Sequence, residues 1–170
     1  MEEALNHFDE AGNAVMVDIS EKQITEREAA ASGIIFMKPQ TLSIIKTGTA
    51  KKGDVLGVAR VAGIMAAKKT SFIIPLCHPV SFEKCAVDFS FPNDESNSGA
   101  MVEARCTIKL TGKTGAEMEA LTGVTAALLT IYDMCKAVDR GMTLSEIKLE
   151  EKSGGKSGHY IRPQNSPRRV

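Results

Sequence analysis

The sequence has no tryptophan, two tyrosines and six phenylalanines. Its core must therefore be filled by Ala, Val, Ile, Leu and Met, and with 43% of the 170 residues hydrophobic there are enough of them. An excess of charge of either sign is also missing, because 21 Lys and Arg balance 21 Asp and Glu. Zero net charge excludes a strongly basic nucleic-acid binder and an acidic disordered chain. Too few rings remain for base stacking, which further disfavours an RNA partner. No apolar run approaches the roughly 20 residues of a membrane span, and Met1 to Glu10 has neither the basic start nor the apolar centre of a secretory signal. The expectation is a cytoplasmic chain with no membrane and no nucleic-acid partner.

A zinc-ribbon pattern is absent as well. Cys77, Cys85, Cys106 and Cys135 contain no C-x-x-C pair, which speaks for free thiols in a reducing compartment. Cys85, Cys106 and Cys135 fall on predicted core faces, leaving Cys77 and His78 short of a zinc site's ligands, so no metal site is expected. Two G-K-[ST] triplets, at Gly112 and Gly155, lack the P-loop glycine five residues upstream, where Thr107 and Glu150 stand. What survives is milder. Glycines and lysines at 51–54, 112–115 and 152–158, next to helix starts at 54 and 114, suit phosphate oxygens, while each alone reads equally well as an ordinary turn.

What is present is an α+β pattern in one domain over residues 1–160, with a disordered tail at 161–170. Cys85, Val87, Phe89 and Phe91 alternate with polar residues, as do Val102, Ala104, Cys106, Ile108 and Leu110. The turn formers of 92–99 lie between them, which predicts a half-buried antiparallel hairpin closed by a surface loop. Shorter strands are predicted at 15–19, 34–37 and 146–149. Ser20-x-x-Gln23 reads as a capping box for a helix over 21–31, Pro39 opens a helix over 40–46, and Asp54 caps one over 55–69. The longest helix is predicted to start at the capping box Thr114-x-x-Glu117 and to stop at Gly141.

On that helix Leu121, Val124, Leu128, Ile131, Cys135 and Val138 form an apolar stripe, while Gly123, Ala126, Thr130 and Ala137 make a small, uncharged opposite face. Helix 55–69 carries one charge, Arg60, between Val55 and Ala67. Helices without charge all round are buried all round, and a chain of this size has little interior for two of them, so faces buried between subunits are expected. Asp133 projects from the small face with Lys136 one turn on. The pair is either a solvated ion pair near a helix end or, if that face is buried, a functional pair with perturbed pKa values. Pro75 and Pro79 fix the backbone around His78, which reads as a structural histidine or as part of a site.

The runs MVDIS (16–20), TEREA (25–29), KGDV (52–55), ARVAGI (59–64), IPLCHP (74–79), TGKTGAEMEALT (111–122), TIYDMCKA (130–137) and KSGGKSG (152–158) together carry a specific resemblance. The chain resembles the cyclic pyranopterin monophosphate synthase family of molybdenum cofactor biosynthesis from about residue 7 to 160. The resemblance implies a ferredoxin-like α+β subunit with an antiparallel sheet packed against two long helices. It implies a hexamer, built as a trimer of dimers, with its site between subunits. It also implies a lyase that rearranges a GTP-derived substrate, 3',8-cyclo-7,8-dihydroguanosine triphosphate, to cyclic pyranopterin monophosphate with loss of diphosphate.

By position, Asp133, Lys52 and Lys136 match the family's catalytic residues. Leu76, Cys77 and His78, with Glu117, Met118 and Glu119, match its substrate-binding segments, and Arg27, Lys68 and Lys152 match further charged positions of the pocket. No cofactor is required by any of these residues, although Mg²⁺ can accompany a triphosphate, since the carboxylates show no metal spacing of their own. Glu117 and Asp133 lie sixteen residues apart on one helix, roughly 24 Å at ~1.5 Å per residue, so both can serve one compact site only from different subunits. The competing reading is a catalytically silent oligomer that binds a nucleotide or scaffolds a partner.

Overall fold

The computed structural model describes residues 7–9, 11–92 and 100–163. Strand β1 (Thr25–Met37) is followed by helices α1 (Pro39–Thr47), α2 (Val55–Ala67) and the single turn α3 (Thr70–Ile73). The hairpin β2 (Lys84–Ser90) and β3 (Ala100–Gly112) comes next, then α4 (Glu117–Cys135), β4 (Thr143–Ser153) and the two-residue β5 (Tyr160–Ile161). The sheet order is β2-β3-β1-β4-β5, with every pairing antiparallel. The first four strands thus make a β-α-β-β-α-β unit with both long helices on one face, the expected ferredoxin-like architecture.

The largest difference from the sequence expectation is at 21–31, where the capping box promised a helix. Ser20 instead turns back on its own neighbour, its N–H and Oγ–H both donating to Asp18 Oδ1 at 2.8 and 2.6 Å. Such a local side-chain bond competes with a helix cap. The chain then enters β1, the central strand, paired along its length with β3 and over most of it with β4. Three alanines and three glutamates over 21–31 prefer helix locally, but a strand bonded on both sides outweighs that preference. Small residues also fit the place. A Cβ at Gly33 would stand 2.8 Å from Val124 and 2.9 Å from Leu128, so α4 lies directly on the strand.

Other elements follow the pattern more closely. Residues 34–37 and 146–149 fall inside β1 and β4, while 15–19 form no strand and run irregularly across the surface. The alternating core residues Val102, Ala104, Cys106, Ile108 and Leu110 are all buried. Of the surface loop predicted over 92–99, residues 93–99 lie outside the described residues, as do 164–170 of the predicted tail. Before them, Arg162 N–H donates to Glu150 O, continuing the β4 edge. Pro39 occupies the first turn of α1, and Asp54 caps α2 by accepting the Gly57 N–H at 2.9 Å.

Helix α4 starts at Glu117 without a side-chain cap, because Glu117 is drawn to Lys152 and Thr114 lines a cavity described below. It also ends short of Gly141, at Cys135. The chain turns there because Asp139, only 2% exposed, accepts from the Lys38 N–H (2.8 Å), the Thr41 hydroxyl (3.1 Å) and the Gly141 N–H (3.2 Å). One carboxylate thereby caps α1 and ties it to the end of α4.

The core lies between the sheet and helices α2 and α4. Val124, Leu128 and Ile131 are fully buried, each contributing about 1.5–3 kcal/mol. From the predicted stripe Val138 is exposed, lying beyond the helix end. On the small face Gly123 is buried within the chain, not left free for a neighbouring subunit. A Cβ at Gly63 of α2 would lie 2.8 Å from Gly123 O, and one at Gly123 would lie 2.8 Å from Cys106 Sγ. Glycine on both helices is what lets them touch. The outer side of this layer remains apolar, with Val58, Val61, Met65, Phe72 and Leu129 exposed, Phe72 to 89%.

Candidate active site

The matched residues fall into two groups at opposite ends of α4. At its C-terminal end, Lys52 reaches over from the turn before α2. Its Nζ donates to the Asp133 backbone carbonyl at 3.0 Å and lies 3.4 Å from Oδ2, while Lys136 Nζ lies 2.6 Å from Oδ1. One carboxylate is thus held between two ammonium groups. The Asp133 side chain is 58% exposed, so its burial within this chain, one of the two sequence alternatives, does not occur. The pKa perturbation has another cause. Hydrogen bonds from Lys136 and Lys52 hold the Asp133 carboxyl below the usual range, and the same carboxylate pushes Lys136 up.

At the N-terminal end of α4, Leu76, Cys77, His78, Glu117, Met118 and Glu119 line a cavity of about 340 Å³. The prolines at 75 and 79 hold the 76–78 stretch in place, and the first turn of α4 supplies the facing wall. Glu119 is 4% exposed, and burial, with a smaller push from Glu117, raises its pKa. Burial also raises the Cys77 thiol, helped by Glu119, so Cys77 is a neutral wall group rather than a nucleophile.

Lys152 is brought to this end by its ion pair with Glu117 at 3.0 Å. Arg27 is engaged below it, donating from Nε to Gly112 O at 2.9 Å and from Nη2 to Lys113 O at 3.2 Å. Gly154 and Gly155 lie on the Arg27 side chain with φ of +90° and +71°, a fit open only to residues without a Cβ. Arg27 therefore joins the 112–115 and 152–158 turns. Lys68 stands apart from both groups, at the end of α2 beside Cys85.

The cavity has walls that the residue-by-residue reading did not single out: His7, Val17, Ile19 and Lys22. For Val17 and Ile19 the signal lies in the MVDIS run, whose alternation predicts a strand, whereas His7 and Lys22 fall outside that run. Lys113 anchors this segment by donating to Ser20 O at 2.6 Å. Among the described residues no group of three His, Cys, Asp or Glu side chains is arranged to hold a metal ion, and no helix is long and apolar enough to cross a membrane.

Comparison with known proteins gives a consistent result. The chain is 56% identical over 161 residues to the cyclic pyranopterin monophosphate synthase of Clostridium botulinum (strain Alaska E43 / Type E3), covering 95% of this chain and 99% of the relative. The proteins of the same name from Heliobacterium modesticaldum and Thermoanaerobacter pseudethanolicus are 58% and 59% identical, covering 94% and 93% of this chain and 98% of each relative. The profile of the MoaC family matches residues 16–155, a span that includes the Lys52, Asp133 and Lys136 cluster and the 76–78 and 117–119 walls, and the chain belongs to that family.

Proposed function

We propose that this protein is a cyclic pyranopterin monophosphate synthase, a lyase of molybdenum cofactor biosynthesis. Its substrate is 3',8-cyclo-7,8-dihydroguanosine triphosphate, and diphosphate is released as the cyclic phosphate forms. The observation that carries the mechanism is the Asp133 carboxylate set between Lys52 and Lys136. Held ionised by its two partners, Asp133 serves as the proton acceptor during rearrangement of the ring system. Lys136, held protonated, is the matching donor, and Lys52 stabilises charge developing on the departing diphosphate.

The cavity at the other end of α4 binds the purine-derived part of the substrate through Leu76, Cys77, His78, Glu117, Met118 and Glu119. Lys152 adds charge for the phosphates, Lys68, which stands apart from this cavity within one subunit, adds its charge from a neighbouring one, and Arg27 holds the glycine turns around them. The two ends are roughly 24 Å apart along α4, so a single site uses the Asp133 end of one subunit and the cavity of another. A cytoplasmic hexamer, a trimer of dimers, satisfies this requirement, and the exposed Val58, Val61, Met65, Phe72 and Leu129 supply apolar surface for its contacts. No cofactor enters the scheme beyond Mg²⁺ carried by the triphosphate.

A single-turnover assay for diphosphate release from the cyclised substrate tests this reading. Release with formation of the cyclic phosphate is expected. Tight binding without release would leave the chain a silent nucleotide-binding oligomer.

A further inference from the structure

Cys85 and Cys106 take no part in the chemistry above. They lie on neighbouring strands, and the register pairs Cys85 with Ile108 and Val87 with Cys106. The two cysteines are therefore diagonal neighbours on the core side of the hairpin, close enough for each thiol to perturb the other's titration. Their surroundings differ. Cys106 is fully enclosed, with Gly123 of α4 against its sulphur, whereas Cys85 is half-buried on the edge strand with Lys68 beside it.

The reactive form of cysteine is the thiolate, and a donated hydrogen bond or a nearby cation favours it. The Cys106 thiol, aided by Lys68, holds the Cys85 thiol below its usual range against the opposing effect of burial. Cys106 itself is pushed far up by Cys85 and by burial, the Asp88 carboxylate adding to it. Cys77 and Cys135 are also raised by burial. Cys85 thus combines partial access, a thiolate-favouring neighbourhood and a second thiol diagonally across the strand pair.

We propose that Cys85 and Cys106 form an oxidation site, at which a small hydroperoxide converts the thiol pair into a reversible cross-strand disulfide. The Cys85 thiolate attacks the peroxide oxygen, the O–O bond breaks, and an alcohol or water leaves after taking up a proton. Cys85 is now a sulfenic acid. The Cys106 sulphur then attacks Cys85 Sγ, the S–O bond breaks, and the Cys106 proton departs with the hydroxide as water. Two thiols lose two electrons to one peroxide.

Diagonal positions on paired strands stand about 7–8 Å apart between Cα atoms, beyond the roughly 4.4–6.8 Å that a disulfide normally spans. Closure requires β2 to move inward, which an edge strand bonded on one side can do. The resulting bond is strained and hence easily reduced by small thiols. Its formation draws the Cys106 sulphur away from Gly123, at the point where α2 and α4 touch.

Full-length protein treated with hydrogen peroxide, alkylated after denaturation and mapped by mass spectrometry tests the proposal. The expected result is a Cys85–Cys106 cross-linked peptide, with Cys77 and Cys135 still alkylated, and full reversal by dithiothreitol. Cys106→Ser should stop at a Cys85 sulfenic acid captured by dimedone, and Cys85→Ser should consume peroxide roughly tenfold more slowly. The wild-type peptide map decides the matter even if Cys106→Ser fails to fold. Cys77 oxidised first, or Cys85 oxidised while Cys106 stays free in the folded protein, would overturn it.

Discussion

Lys52 and Asp133, 81 residues apart in the chain, meet twice: the lysine Nζ donates to the Asp133 carbonyl at 3.0 Å and approaches its Oδ2 at 3.4 Å. The backbone contact fixes where the ammonium sits, and the carboxylate contact fixes what it does. Asp133→Ala and Lys52→Ala are each expected to leave a normally assembled protein whose diphosphate release is slower by roughly 100- to 10,000-fold. Near-normal turnover in either variant would sink the assignment.

The same geometry sets the pH response. Asp133 is held below the usual carboxylate range and Lys136 above the usual ammonium range, so both charges persist over a wider interval than free side chains allow. The kcat/KM profile should therefore be flat from about pH 5 to pH 9 as far as this pair is concerned. In Lys136→Met the acid limb is expected to move up, because the carboxylate loses its first partner. An unmoved limb would mean that Asp133 does not control it.

Glu119 offers a test of opposite sign. Its pKa is raised by burial, so the folded chain binds a proton more tightly than the unfolded chain does. Stability from this group is full at low pH and declines as pH rises above about 4.3, the unfolded value for Glu. Glu119→Gln is therefore expected to gain stability relative to the parent at pH 7 but not at pH 4, while binding substrate less well. Denaturant melts at the two pH values, read beside KM, would show otherwise if the stability difference were constant.

Asp139 is a structural counterpart with a depressed pKa, caused first by the Lys38 N–H. Its contribution is present above the unfolded Asp value of about 3.9 and is lost as pH falls through the lower folded value. Asp139→Ala leaves three donors, the buried Thr41 hydroxyl among them, without their acceptor and should cost about 1–3 kcal/mol in urea unfolding at pH 7. Asp139→Asn should recover only part of this, because the charge and one acceptor oxygen are gone. A loss below ~0.5 kcal/mol for Asp139→Ala would contradict the capping role.

Gly63→Ala places a methyl group 2.8 Å from the Gly123 carbonyl, which is backbone and cannot swing aside. The helices must separate, at an expected cost of about 1–3 kcal/mol. Thermal unfolding of this variant beside Gly48→Ala, where a Cβ meets nothing but φ is +66°, separates packing from backbone strain.

The hairpin β2–β3 and helices α1 and α2 were legible because alternation, Pro39 and Asp54 are local signals that the folded chain uses unchanged. The segment at 21–31 was not, since its helix-like composition is overruled by two strands that arrive more than 70 residues later. The start of α4 failed for a similar reason: Glu117 is claimed by Lys152, 35 residues on, and is no longer available as a cap. Within the candidate site, Asp133 and Lys136 were legible as a one-turn pair, whereas their link to Lys52 is a contact between distant segments.

The sequence by itself determined the composition of the core, the hairpin, the two long helices and, through its long matched runs, the family. Which residues meet was decided only by tertiary structure. Packing α2 on α4 through Gly63 and Gly123 brings Lys52 to Asp133, and the pairing of β1 with β4 brings Lys152 to Glu117. Local patterns report the preferences of neighbours in the chain. A charge cluster is made of side chains that only long-range burial can hold together against their hydration and conformational entropy.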